Sequence, residues 1–152
     1  MEKRYATAAC IFNEEGLVLI AKRAPTKISY PNTWSLPSTY VRDAAGNLIN
    51  DMTSEESARQ QLAGAIKKKL GLEIILGRTI GRKEGEQTGY WLTMTDFMGI
   101  VSGGSMSPNQ EDFTEAGFYA PLERLGDRPH GFCARILVER LKEDPEFWKK
   151  SS

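Results

Sequence analysis

Histidine and cysteine are scarce in this chain. There is one His and there are two Cys, with no Cys-x-x-Cys pair. That inventory does not point to a zinc-type centre. Cys10 and Cys133 lie far apart, each in an apolar segment, so buried free thiols in a reducing, cytoplasmic setting are the expectation. No excess of either charge exists: 20 Lys and Arg balance 20 Asp and Glu. Binding to nucleic acid through bulk electrostatics is therefore not expected. No run of about 18 apolar residues is present, so a membrane span is not expected. The opening MEKRYATAACIF lacks the apolar core and cleavage site of a signal peptide. There is neither an internal repeat nor a low-complexity segment. What remains is 152 residues, 40% hydrophobic and 26% charged. This fits one globular domain, residues 1–152, with a core of its own.

The most informative stretch is 53–72, TSEESARQQLAGAIKKKLGL. Thr53 can cap a helix, and Glu56 three residues on completes a capping box. Ala58, Leu62, Ala65, Ile66 and Leu70 recur at helical spacing and form one apolar face. Gly71 ends the pattern, and Lys67, Lys68 and Lys69 suit the negative end of the helix dipole. At about 100° per residue, Lys69 falls inside the apolar stripe. An ammonium there needs a partner, because an unpaired buried charge is costly.

Around this helix the pattern alternates. Residues 5–12 and 17–23 read as two strands joined by a turn at Asn13-Glu14-Glu15-Gly16, which predicts a hairpin. A loop over 24–33 contains Pro25 and Pro31, and 34–41 is a short extended piece. Residues 42–52 are polar, with Gly46-Asn47 as a turn signal. A strand is predicted over 72–83, a charged turn over 81–89 and a long strand over 90–101. A loop over 102–112 leads to a strand over 113–119, a short helical turn over 121–125 and a second long helix over 130–143. The tail PEFWKKSS is predicted to be a short extension or frayed end. This order suggests a mixed sheet with helices packed against its faces.

Four pieces of the chain resemble the Nudix family. They are AACIFNEEGLVLIAKR, Trp34-Ser35-Leu36-Pro37, the helix with Glu56 and Gly71-Leu72, and the run from Glu115 to Leu125. The resemblance implies an α/β (α+β) fold: a Nudix-like α/β/α sandwich with a mixed β-sheet and helices packed on its faces. The family's box is Gly, five residues, Glu, seven residues, then Arg-Glu-U-x-Glu-Glu-x-Gly-U, with U aliphatic. Anchored on Gly71-Leu72, the box places Gly64 at the Arg, Ala65 at the first Glu, and Lys68-Lys69 at the Glu pair. Counting back from Gly64 lands on Glu56, at the isolated Glu. Ser38-Thr39 replace the family's glycine pair, and about eleven residues, 42–52, look inserted before the helix.

The resemblance implies an enzyme that cleaves a diphosphate linked to another group, with Mg²⁺ or Mn²⁺ held by helix carboxylates. Hard cations need oxygen ligands, and here those positions are Ala65, Lys68 and Lys69. Mg²⁺ or Mn²⁺ is therefore expected only if ligands come from elsewhere, with Glu56, Glu111 and Glu115 as candidates. Three readings of the lysines stand side by side: a solvated helix end, a direct phosphate site, or ammonium groups paired with Glu111, Asp112 or Glu115. Arg23, Ser38 and Thr39 join Lys68 and Lys69 as candidate phosphate contacts. Trp34 and Tyr30 can either stack on a base or pack, and His130 reads as a structural residue at a helix start. Lys27 with Tyr30-Pro31-Asn32-Thr33-Trp34 is also faintly similar to isopentenyl-diphosphate isomerase, whose Cys and His motif is missing here. The implied partner is a nucleotide or another small phosphorylated metabolite, with a homodimer as a further expectation. The function classes that follow are an atypical hydrolase, a silent binder or sensor, and an interaction protein that keeps only the fold.

Overall fold

The computed structural model describes residues 1–28, 30–49, 55–126 and 132–149. Thr53 and His130 lie outside the described residues, as do the last three positions of the 42–52 insertion.

Among the described residues, seven strands form two sheets. The mixed sheet has the order β4-β1-β6-β5, built from β1 (Glu2–Ile11), β4 (Ser38–Tyr40), β5 (Leu72–Gln87) and β6 (Tyr90–Gly104). β1 runs parallel to β6 and antiparallel to β4. The second sheet is antiparallel, with β2 (Val18–Arg23) between β3 (Trp34–Ser35) and β7 (Phe113–Tyr119). Between β7 and the C-terminus lie α2 (Pro121–Arg124), α3 (Ala134–Glu143) and a 3₁₀ turn at Phe147–Lys149.

Alternation along the strands decides what each face buries. Ala9, Ile11, Leu19, Ala21 and Phe97 point to the face covered by α1 (Glu55–Leu70), through its Leu62, Ile66 and Leu70. Ala8, Cys10, Val18, Ile20 and Met94 point to the other face, where Ile136, Leu137 and Leu141 of α3 meet them. Each fully buried aliphatic side chain contributes about 1.5–3 kcal/mol. The result is the α/β/α sandwich with a mixed sheet.

Four local expectations change. The hairpin predicted from 5–12 and 17–23 is a corner: the Asn13-to-Gly16 turn passes the chain from one sheet to the other. A single bridge, Phe12 with Val18, lies between β1 and β2. The same happens at Leu36-Pro37, where the predicted extended piece splits into β3 and β4. The charged turn predicted over 81–89 is mostly strand. β5 runs to Gln87 and the turn contracts to Thr88 and Gly89, whose φ of +85° suits a glycine. The tail is also better anchored than predicted, since Phe147 is buried and Trp148 stacks on Phe12 at 5.6 Å.

Helix α1 carries acidic residues in its first turn and three lysines in its last, as the dipole favours. Gly71 stops it with φ +76°, and a Cβ there would lie 2.5 Å from the Ser105 carbonyl. The loop over 105–112, between β6 and β7, takes up the end of the helix. Ser107 N–H donates to the Leu70 carbonyl at 2.8 Å, and Asn109 N–H donates to the Lys69 carbonyl at 2.7 Å. These are carbonyls that a helix end leaves without an internal donor.

Candidate functional site

Lys69 stands where the apolar stripe of α1 meets the edge strand β4. Its side chain is half-buried, and Nζ donates to the backbone carbonyl of Ser38 at 3.0 Å. Burial lowers its pKa from the ordinary 10.5. Lys27, Arg23 and Lys68 push the same way, and Asp112 opposes them. Lys69 is thus the centre of a cluster drawn from four places in the chain. Arg23 comes from the end of β2, Lys27 from the loop after it, Lys68 from α1 and Asp112 from the loop before β7. Lys27 Nζ donates to Asp112 Oδ1 at 2.6 Å, which ties the two loops together across the lysine.

The other candidate positions divide. Lys68 is exposed beside Lys69. Ser38 contributes its carbonyl rather than its hydroxyl, and the Thr39 hydroxyl donates to the Tyr40 carbonyl at 3.3 Å. The three candidate acids do not converge. Glu56 is exposed in the first turn of α1, where Gln60 Nε2 donates to it at 3.3 Å. At 1.5 Å per residue it lies about 20 Å along the helix from Lys69. Glu111 is exposed, and its amide donates to Asn109 Oδ1. Glu115 is exposed on β7, paired in register with Lys22. Of the acids named as partners for the lysines, Asp112 is the one that acts on Lys69.

The donor set decides how well Mg²⁺ or Mn²⁺ fits. A hard cation takes six or more oxygens, usually including carboxylates. Here the helix end offers two ammonium groups and a methyl. Among the described residues no group of three His, Cys, Asp or Glu side chains is placed to hold a metal ion. Of the residues that the resemblance sets at the box positions, Ala65, Lys68 and Lys69 do not fit the divalent cation of the family.

Trp34 packs rather than standing open as a base platform. Tyr119 meets it edge-on at 5.3 Å, and the Arg124 guanidinium lies over both rings. Tyr30 takes φ +49°, with its hydroxyl donating to Gln87 Oε1 at 3.1 Å. Both cysteines are buried free thiols.

A second ionisable centre lies on the α3 face. Asp96 of β6 is fully buried, and Cys10 Sγ donates to its Oδ2 at 3.8 Å. Among the described residues its Oδ1 has no hydrogen-bond partner. Burial pushes its pKa well above the ordinary 3.8, against the weaker pull of the Cys10 contact. Nearby, Cys133 Sγ pairs with Ser35 Oγ at 2.7 Å and donates to the Leu36 carbonyl at 3.5 Å. An apolar cleft of about 1010 Å³ is a separate feature, lined by Phe12, Ile75, Met98, Ile100, Met106 and Trp148 among others. None of the candidate site residues lines it.

No sequence motif marks Lys27 or Asp96 as part of a site. Lys27 lies beside the aromatic loop, and nothing local ties it to Asp112. Asp96 had a signal, as an acid inside the longest apolar strand, flanked by Met94, Phe97 and Met98.

No protein-family model matches the chain. An uncharacterized Nudix hydrolase of Listeria innocua is 39% identical over 70 residues, 46% of this chain and 36% of that protein. The chain thus aligns with about a third of that relative's length. An uncharacterized Nudix hydrolase of Listeria monocytogenes is 31% identical over 138 residues, 87% of this chain and 73% of that protein. Among solved structures, a MutT protein from Methanosarcina mazei superposes with a TM-score of 0.71 at 20% identity, covering 96% of this chain and 99% of its own. The NUDIX domain of Shewanella oneidensis NrtR, solved with ADP ribose, superposes at 0.63 and 16% identity over 94% and 88%. These two share the fold. With a relative above 30% identity aligned along most of both chains, and with the α/β/α sandwich beside it, the chain belongs to the Nudix hydrolase family.

Proposed function

We propose that this Nudix domain binds the phosphoryl part of a nucleotide or similar small phosphorylated metabolite directly through lysines, and does not hydrolyse it by the family's metal-dependent route. The observation that carries this reading is the placement of Lys69. Its amine is drawn into the sandwich edge beside Lys68, Lys27 and Arg23, with Asp112 as the opposing charge. Lysine acts on phosphate as a compact point charge with rotatable donors. A divalent cation brought into the same cluster meets repulsion instead. Metal ligands recruited from Glu56, Glu111 and Glu115 have little geometric support, because these acids are exposed and lie on separate elements.

Nucleoside-diphosphate derivatives are the first class to test, since the Shewanella domain was solved with ADP ribose. With a formal net charge of zero, nucleic acid is not among the proposed partners. A cytoplasmic, reducing setting suits the two buried free thiols. A homodimer remains part of the proposal, to be read by sedimentation.

The test is a thermal-shift panel of nucleotides and diphosphates, in EDTA and in Mg²⁺ or Mn²⁺. A ligand that binds only the native state raises the melting temperature by mass action. Stabilisation in EDTA that disappears in Lys68→Ala/Lys69→Ala is the expected result. Stabilisation that requires the metal, together with phosphate release, overturns the reading and restores an active hydrolase.

A further inference from the structure

Asp112 is the acid that closes the cation cluster, and its backbone holds it there. Its N–H donates to the Asn109 carbonyl at 2.9 Å, and its own carbonyl accepts the Ala24 N–H at 2.9 Å. Asn109 is in turn bonded to the Lys69 carbonyl. The carboxylate is therefore tied both to the end of α1 and to the loop that carries Lys27. It is 17% exposed and takes the Lys27 ammonium at 2.6 Å. It is also the charge that opposes Lys27, Arg23 and Lys68 in acting on Lys69. An anion from solution that reaches Lys69 and Lys27 meets this carboxylate already in place.

We propose that Asp112 is the resident anion of the cluster, standing where a ligand's phosphoryl group binds and limiting the site to phosphoryl groups with more than one negative charge. This rests on the phosphate-binding reading above. Exchange of the carboxylate for a monoanion leaves the charge balance unchanged while costing the freedom of a solute. A phosphodiester or carboxylate gains nothing by it. A terminal phosphate carries about 1.5–2 negative charges at neutral pH, and a terminal diphosphate carries more. These gain attraction to Lys69 and Lys68 beyond what Asp112 supplied. The ligand class is then a terminal phosphate or diphosphate, as in a nucleoside diphosphate or inorganic pyrophosphate.

Titration calorimetry on the full chain in EDTA tests this, with inorganic pyrophosphate and dimethyl phosphate as probes. The unaltered protein is expected to take pyrophosphate and to give no heat with millimolar dimethyl phosphate. Asp112→Asn is expected to bind pyrophosphate about tenfold more tightly, because a like charge has left the site. It is also expected to bind dimethyl phosphate measurably, and to melt lower when unliganded. Unchanged or weaker pyrophosphate binding in Asp112→Asn overturns the inference, as does equal binding of both probes by the unaltered protein. If Asp112→Asn does not fold, Lys27→Met serves instead: pyrophosphate binding should weaken about tenfold or more, and unchanged binding overturns the inference. Failure of the unaltered protein and Asp112→Asn alike to take pyrophosphate ends the metal-free reading itself, and this inference with it.

Discussion

Lys69 and Asp96 are both ionisable groups drawn into the sandwich, one on each face of the sheet. Burial pushes both toward the neutral form, so the lysine's pKa falls and the carboxyl's rises. Their surroundings differ. Lys69 lies at an edge, half-buried, with a carbonyl to donate to and Asp112 as the opposing charge, so a charge there is supported. Asp96 is buried beside Cys10 and its apolar neighbours, with one oxygen unpartnered among the described residues. The lesson is that burial alone does not mark a binding group. The lysine's access and counter-charge make it a candidate contact, whereas the carboxyl is a cost to the fold.

The strongest way to break this contrast is to reverse the charge at the edge. Lys68→Glu/Lys69→Glu is expected to weaken pyrophosphate binding in EDTA by at least about 100-fold, roughly 2.7 kcal/mol. Calorimetry reads this, with a thermal melt to show that the variant folds.

Next is the sealed group. Asp96→Asn is expected to stabilise the protein at neutral pH, read as a higher midpoint in urea unfolding. The sign follows from the raised pKa. Above the ordinary 3.8 the unfolded carboxyl has lost its proton while the native one keeps it, so stability falls as pH rises from there toward the native value. The Asn variant should lose that slope. No gain at neutral pH would mean that Asp96 has a stabilising partner after all.

Lys69 carries the opposite sign. Between its lowered native pKa and the ordinary 10.5, the unfolded state holds more protons, so its contribution to stability rises with pH. Ligand binding should move the other way, because the neutral amine no longer attracts phosphate. Pyrophosphate affinity is expected to fall by about tenfold as Lys69 loses its proton. Lys69→Arg stays charged and should lack that decline in a calorimetric pH series.

The smallest effect is expected at an exposed acid on the same helix. Glu56→Gln should change stability by less than about 0.5 kcal/mol and leave pyrophosphate affinity unaltered. A metal-dependent loss of ligand binding in this variant would return Glu56 to the site.

Much of the fold was legible in the sequence. The α1 face, its glycine stop, the long strands and the second helix follow from local spacing. The corners at 13–16 and 36–37 were not legible, because a turn signal does not say which sheet the next strand joins. At the site, Lys69 stood out because its charge interrupts an apolar stripe. Glu56, Glu111 and Glu115 are plausible acids by type, but they lie on separate elements.

What the sequence determined by itself is local. An amphipathic helix ends in three lysines and a glycine, and the family resemblance sets two of them, Lys68 and Lys69, against the box's Glu pair. Periodicity and end chemistry follow from residues within a few turns of one another, so no tertiary information is needed. The tertiary structure decided which charges meet. Lys27, Arg23 and Asp112 reach Lys69 only because two loops and an edge strand fold over the end of α1. Asp96 loses its water only because α3 closes the opposite face. Coulomb energy and desolvation depend on distances through space, and spacing along the chain does not encode those.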